Sequence, residues 1–198
     1  AAGLGSVKRL VVASTNAGKI REVSLALSDL PDWNVESLPD LPEIEENGTT
    51  FLENATLKAS HYSRFIGDLT LADDSGLCVA AIGGRPGLHS ARYAPSTDER
   101  NAKLLAELAA LGENADRGAS FYCAFAVGRG GTVIWTVETE LRGSIARSPK
   151  GAFGFGYDPI FLVPIQSKTL AEMAPAEKNG ISARGQALQK LRDFLRTQ

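Results

Sequence analysis

Apolar runs of strand and helical period alternate along the first eighty residues of this chain, and that alternation limits the possible fold more than any other feature. Arg9-Leu-Val-Val-Ala13 is a short β-branched run, and Ile20, Val23, Leu27 and Leu30 follow it at helical spacing. A proline-punctuated segment, Pro31 to Pro42, carries a short strand at Trp33 to Leu38. The spacing then predicts a helix capped by Thr49 or Thr50 and running to about Ile66, a strand at Leu69 to Ala72, and a second strand at Leu77 to Ile82. Further on, Arg100 to Leu111 reads as a helix with Leu104, Leu105, Leu108 and Leu111 on its buried side and Gly112 as its stop. Ser120 to Val127 and Val133 to Val137 alternate as the arms of a hairpin about Gly130-Gly131. Arg142 to Gly151 reads as a loop, and a closing helix starts near Ser182 and buries Ala187, Leu188, Leu191 and Leu195. Alternating strands and helices followed by a hairpin define an α/β domain with a mixed central β-sheet flanked by helices.

With 198 residues, 43% of them hydrophobic, the chain can bury a sizeable core as one domain spanning 7–198. Residues 1–6, small and glycine-containing, read as a disordered tail. A formal net charge of -2 argues against a broad basic surface for a nucleic acid polymer, yet leaves a small anionic ligand open. No apolar run has the length of a membrane span, and the first residues lack the pattern of a signal peptide, so a cytoplasmic protein is expected. Cys78 and Cys123 sit in apolar strand-like runs without metal-ligand spacing, which fits structural thiols in a reducing compartment.

The chemistry concentrates in a few stretches. Leu71-Ala72-Asp73-Asp74-Ser75-Gly76 ends an apolar run with two adjacent carboxylates and reads as a turn between two strands. Paired carboxylates this close are costly unless a cation, a proton or a donor offsets them, so the stretch is either a solvated acidic turn or a site of phosphate chemistry. Ser14-Thr15-Asn16-Ala17-Gly18-Lys19 lies between the first strand and first helix, where backbone N–H groups and a lysine favour an anion. It is not a P-loop, because Ala13 stands where that motif needs its first glycine and Ile20 where it needs Ser or Thr.

On the second helix, an angular step of about 100° per residue puts Lys58 inside the apolar stripe of Phe51, Ala55, Ala59, Tyr62, Phe65 and Ile66, with Asn54 on its edge. A lysine there either snorkels along its stem or meets an anion. Phe153-Gly154-Phe155-Gly156-Tyr157-Asp158-Pro159 separates aromatics with glycines, which suits either ring stacking on a base or a plain bent strand. Lys178 and Arg184 flank the N-terminus of the closing helix, where the macrodipole disfavours cations, so they either face an anionic or polar ligand or stand exposed.

Taken together, Ser14 to Lys19, Glu45-Glu46-Asn47-Gly48-Thr-Thr-Phe51-Leu-Glu53-Asn54-Ala55, Ala72 to Gly76, Gly84-Arg-Pro-Gly87, Ser90-Ala-Arg-Tyr93, Phe155-Gly-Tyr-Asp-Pro159 and Glu177-Lys-Asn-Gly-Ile-Ser182 resemble the Ham1-type inosine/xanthosine triphosphate pyrophosphatases, in order and at family spacing from Leu10 to the closing helix. The resemblance implies an elongated α/β fold with a substrate cleft between two lobes. It also implies a magnesium-dependent homodimer that hydrolyses the purine nucleoside triphosphates ITP, dITP and XTP to the monophosphate and pyrophosphate.

By position in the motifs, Ser14, Thr15, Asn16, Ala17, Gly18 and Lys19 would hold the phosphates; Lys58, from its place on the apolar stripe, is a further candidate anion partner. Glu45 and Asp74 would bind Mg²⁺, and Asp74 would also accept the proton of the attacking water. Ser75 would touch substrate. Phe155, Gly156, Tyr157 and Asp158 would form the base pocket with Phe155 as the stacking ring, while Lys178, Ala183 and Arg184 would read the six-oxo edge. Members of the family usually carry histidine where this chain has Ala183, and alanine has no side-chain donor, so base recognition there is expected to be weaker. Which of Asp73 and Asp74 carries more of the chemistry stays open at this level. A non-catalytic nucleotide-binding module and a pyrophosphatase for other modified nucleotides are the alternatives, although three carboxylates, Glu45, Asp73 and Asp74, suit catalysis better than mere binding of a polyphosphate.

Overall fold

The chain starts its sheet with β1 (Lys8–Val12), passes through α1 (Ala17–Leu27) to β2 (Trp33–Ser37), and returns through α2 (Phe51–Ile66) to β3 (Leu69–Val79). This is a computed structural model, and it describes residues 7–198; the tail expected at residues 1–6 lies outside the described residues. β1 pairs in parallel with β2 on one side and with β3 on the other. Because a right-handed crossover leaves β1 toward β2 and the next one returns past β1 to β3, α1 and α2 fall on opposite faces of the sheet. The remaining elements are β4 (Arg85–Pro86), α3 (Thr97–Ala110), β5 (Gly118–Arg129), β6 (Thr132–Ile145), β7 (Phe161–Val163), β8 (Lys168–Thr169), α4 (Pro175–Asn179) and α5 (Ala183–Leu195). Among the described residues the strands form one sheet in the order β2-β1-β3-β5-β6-β7-β8, with β4 attached to β3. The mixed α/β architecture expected from the alternating periods is therefore present.

Two compact units make up the chain. The first takes the residues up to Asp74, Ala124–Glu138 and Ala187–Gln198, and its buried side chains include Leu10, Leu27, Ala55, Ala59, Leu71, Phe125, Leu188 and Leu191. In it, the tip of the β5–β6 hairpin lies against α2: Ser60 Oγ donates to the Gly131 carbonyl at 2.7 Å, and Gly131 N–H donates to Ser63 Oγ at 2.9 Å. Gly128 allows this approach, since a Cβ there would stand 2.5 Å from the Ala59 carbonyl oxygen. The second unit takes Ser75–Cys123 and Thr139–Gln186, and Leu77, Val79, Leu104, Leu108, Ile145, Ile160, Phe161, Leu170 and Met173 fill its core.

Several local expectations need correction. Asp73 to Gly76 is not a turn: the two strands expected around it are one eleven-residue strand, β3. Its polar residues are tolerated there because α1 and α2 supply partners on either face. Phe65, placed on the apolar stripe, is 71% exposed near the C-terminal end of α2, and Leu111 follows the last turn of α3 into solvent. The hairpin arms are longer than the alternation suggests, and Arg142 to Ile145, expected as loop, belongs to β6. Among the described residues no helix is long and apolar enough to cross a membrane.

Candidate active site

The register of β1 on β3 decides where the first half of the site lies. Val12, the last residue of β1, faces Leu71, and Ala13 N–H donates to the Leu71 carbonyl at 2.8 Å. β3 runs on for eight residues past that point, so Asp73 and Asp74 stand just beyond the carboxyl end of β1, beside the loop from Ser14 to Lys19. This is where the crossovers diverge from β1, the position at which open α/β sheets form a crevice for ligands. Adjacent residues on a strand project to opposite faces, so the two carboxylates have separate neighbours.

Asp73 Oδ2 is 2.8 Å from Lys19 Nζ, with both side chains mostly buried. Asp74 accepts a hydrogen bond from Asn54 Nδ2 at 3.0 Å. Each carboxylate is 8% exposed. Burial pushes the Asp74 carboxyl above its ordinary value; the Lys58 charge and the Asn54 hydrogen bond oppose this, Glu46 adds to it, and Lys19 opposes it again. Asp73 thus meets the Lys19 ammonium directly, while Asp74 takes the Asn54 amide and lies in the field of Lys58.

In the loop itself, Asn16 caps α1, its side-chain oxygen accepting the Lys19 N–H at 3.1 Å, and Ser14 Oγ accepts the Asn16 N–H at 3.1 Å. The cap satisfies one N–H of the first turn of α1 and leaves others there without intrahelical partners. Thr15, Ala17 and Gly18 complete this turn. Lys58, the residue expected to snorkel or meet an anion, meets one from the protein: its Nζ lies 3.4 Å from Glu46 Oε2. Glu45 stands exposed on the adjoining segment 38–50, which has no regular structure.

The second unit holds the other residues. Asp158 Oδ2 receives Lys178 Nζ at 2.6 Å and the Phe155 N–H at 2.9 Å, with the Asp158 and Lys178 side chains each 6% exposed. Gly154 and Gly156 take positive φ, 72° and 62°, and a Cβ on Gly154 would lie 2.0 Å from Asp158 Oδ2. These glycines let the chain coil around one carboxylate. Lys178 Nζ sits 4.8 Å and Arg184 Cζ 5.6 Å from the centre of the Phe155 ring. Arg184 Nη2 also donates to Ser75 Oγ at 2.8 Å. The two cations are thus buried against an aromatic ring rather than exposed at a helix end, and Lys178 belongs to α4, not to the approach to α5.

Tyr157, expected in the base pocket, is an anchor for it: its ring is 6% exposed and its hydroxyl donates to the Ser90 carbonyl at 2.7 Å, and burial raises its pKa. Ala183 is buried, and its carbonyl accepts from Thr139 Oγ1 at 2.6 Å.

A sequence profile described as the Ham1 family matches residues 10–194. The chain belongs to the Ham1 family. It is 50% identical over 191 residues to a dITP/XTP pyrophosphatase of Geobacillus kaustophilus (strain HTA426), covering 93% of each chain. A dITP/XTP pyrophosphatase of Gloeobacter violaceus (strain ATCC 29082 / PCC 7421) is 48% identical, with 92% of this chain and 91% of that one aligned. Among solved structures, a HAM1 protein from Coxiella burnetii superposes with a TM-score of 0.85 at 42% identity, covering 96% of this chain and all of that one. The Staphylococcus aureus Ham1 protein gives 0.82 at 38% identity, covering 96% and 99%. Within this Ham1 chain, sequence reasoning missed the bonds that Asn54 makes, the pairing of Lys58 with Glu46 and the contact of Thr139 with Ala183. Asn54 carried a signal as a polar residue on the edge of an apolar stripe, and Lys58 carried one as a lysine inside it, although not the identity of its partner.

Proposed function

We propose that this protein hydrolyses non-canonical purine nucleoside triphosphates, ITP, dITP and XTP, to the monophosphate and pyrophosphate, as a magnesium-dependent homodimer in the cytoplasm. The observation that carries the reading is Asp74: a buried carboxylate held by a neutral amide, just past the carboxyl end of β1 and in the same unit as Lys19 and Lys58. The relatives' activity on dITP and XTP supports it.

The residues fit Mg²⁺. Among the described residues no three or more His, Cys, Asp or Glu side chains converge as a closed metal cage. Magnesium bound with substrate phosphates uses only one or two carboxylates and keeps waters, and Asp74 with Glu45 is such an all-oxygen set. When bound, the ion neutralises the triphosphate and lowers the pKa of nearby water. Lys19 and the first turn of α1 hold phosphate oxygens. Asp74 takes the proton of the water that attacks the anhydride between the first two phosphates, and pyrophosphate leaves. Lys58, paired with Glu46 in the structure, is the cation a polyphosphate competes for. Phe155 stacks on the base; Lys178 and Arg184, held by Asp158 and Ser75, favour a six-oxo acceptor over the amino donor of adenine.

Pyrophosphate release from ITP, XTP, dITP, GTP and ATP with Mg²⁺ tests this. Turnover of the first three well above ATP is expected; no turnover, or equal turnover of ATP and ITP, overturns it. Ala183→His is expected to lower KM for ITP several-fold by adding a side-chain donor, on the order of 1 kcal/mol. Steady-state kinetics check it, and an unchanged or raised KM counts against a role for position 183 in base recognition.

A further inference from the structure

α2 is tied to the acidic segment before it by more than its cap. Thr50 Oγ1 accepts the Glu53 N–H at 3.1 Å in the ordinary way. One turn deeper, Asn54 is 2% exposed, and both ends of its amide are used. Gly48 N–H donates to Asn54 Oδ1 at 2.8 Å, and Asn54 Nδ2 donates to Asp74 Oδ2 at 3.0 Å. A backbone N–H can only donate, so Oδ1 must face Gly48 and Nδ2 must face Asp74. The amide has one orientation. Gly48 is required for this: a Cβ there would lie 2.6 Å from Asn54 Oδ1 and 2.8 Å from Glu53 Cβ. Lys58, one turn further along the same helix face, holds Glu46 at 3.4 Å.

We infer that Asn54 is a positioning residue for the hydrolytic step, a single amide that fixes Asp74 Oδ2 with one end and the segment carrying Glu45 and Glu46 with the other. It needs no contact with substrate. A donor on one carboxylate oxygen sets the rotation of the Asp74 group, so its remaining lone pairs point in a defined direction. An acceptor on the Gly48 N–H sets the distance of the acidic segment from that same carboxylate. The two roles require opposite chemistry at the two ends of one side chain. Asparagine supplies this, whereas aspartate supplies only acceptors and leucine neither.

The inference rests on the proposed reaction, and its test separates the two. In wild type, turnover of ITP establishes the reaction, and slow hydrogen exchange at the Gly48 amide, read by NMR, reports the anchor without reference to activity. Asn54→Ala is expected to lower kcat 10- to 100-fold with KM within about threefold, and to speed Gly48 exchange at least tenfold. Asn54→Asp is expected to keep Gly48 protected, because an acceptor remains, yet to lose kcat as much or more, because a second carboxylate then faces Asp74. Gly48→Ala pushes the amide away and lowers kcat similarly. The double variant Asn54→Ala/Gly48→Ala is expected to fall no further than the worse single one, within about twofold, since both remove one connection. Wild-type kcat in Asn54→Asp, unchanged Gly48 exchange in Asn54→Ala, or multiplying losses in the double variant overturn the inference. Should Asn54→Ala not fold, Asn54→Asp and Gly48→Ala still decide it.

Discussion

Asp74→Asn is expected to lower kcat/KM for ITP by about a thousandfold or more, the scale of removing a general base together with a charge beside a polyphosphate, while nucleotide binding persists. Asparagine keeps the shape and can still accept from Asn54 Nδ2, so the variant isolates charge and basicity from packing. It should also be more stable than wild type at neutral pH. Burial raises the folded-state pKa of Asp74 above its unfolded value, so the ionised carboxylate destabilises the fold. That penalty is full above the folded pKa and disappears as pH falls below the ordinary aspartate value. The melting temperature of Asp74→Asn should therefore exceed that of wild type at pH 7, with the gap closing as pH falls below the ordinary aspartate range. Thermal denaturation across that range checks the sign. A gap that grows on acidification would mean that the cations around Asp74 outweigh its burial. Higher stability with lost activity is the usual signature of a charge kept for chemistry.

Asp158→Ala is expected to act on both stability and affinity. The Asp158–Lys178 pair is buried, and removing the carboxylate takes its acceptor from both a buried ammonium and the Phe155 N–H. Breaking such a pair from one side costs about 3–5 kcal/mol, which for a chain of this size lowers the melting temperature by roughly 10 °C. KM for ITP should rise about tenfold or more, because the aromatic ring and the lysine lose their common anchor. The double variant Asp158→Ala/Lys178→Met separates the causes. With the Asp158–Lys178 charges both gone, most of the lost stability should return, while KM stays high because neither the lysine nor the anchored loop is restored. Calorimetry and steady-state kinetics on the three proteins check this. A double variant as unstable as Asp158→Ala would mean that packing, not the stranded charge, sets the cost.

The helices α1, α2, α3 and α5 and the core strands were readable in the chain because their apolar residues repeat at the period of the element that buries them, as Val23 and Leu27 do in α1. Lys19 was readable as a cation at the start of a helix because the strand, polar loop and helical period around it are local, and the structure sets it against Asp73. The reading failed where a partner distant in sequence changes what a residue is for. Asp73-Asp74-Ser75-Gly76 has the composition of a turn, but Lys19 and Asn54 on opposite faces of the sheet allow it to be a strand. Phe65 has the periodicity of a core residue, but the packing of α2 leaves that end of the helix in solvent.

By itself, then, the sequence determined the alternation of elements, the family motifs and the residue types available for phosphate chemistry, because propensity, periodicity and motif spacing are local properties of the chain. The tertiary structure alone decided which partners those residues meet. The register of β1 on β3 carries two aspartates past the end of the neighbouring strand, and the pleat turns one toward a lysine and the other toward an amide. Which neighbour a carboxylate meets depends on strand order and on which face each crossover helix covers. No local pattern encodes that, and it is what gives one carboxylate a lysine and the other an amide as its neighbour.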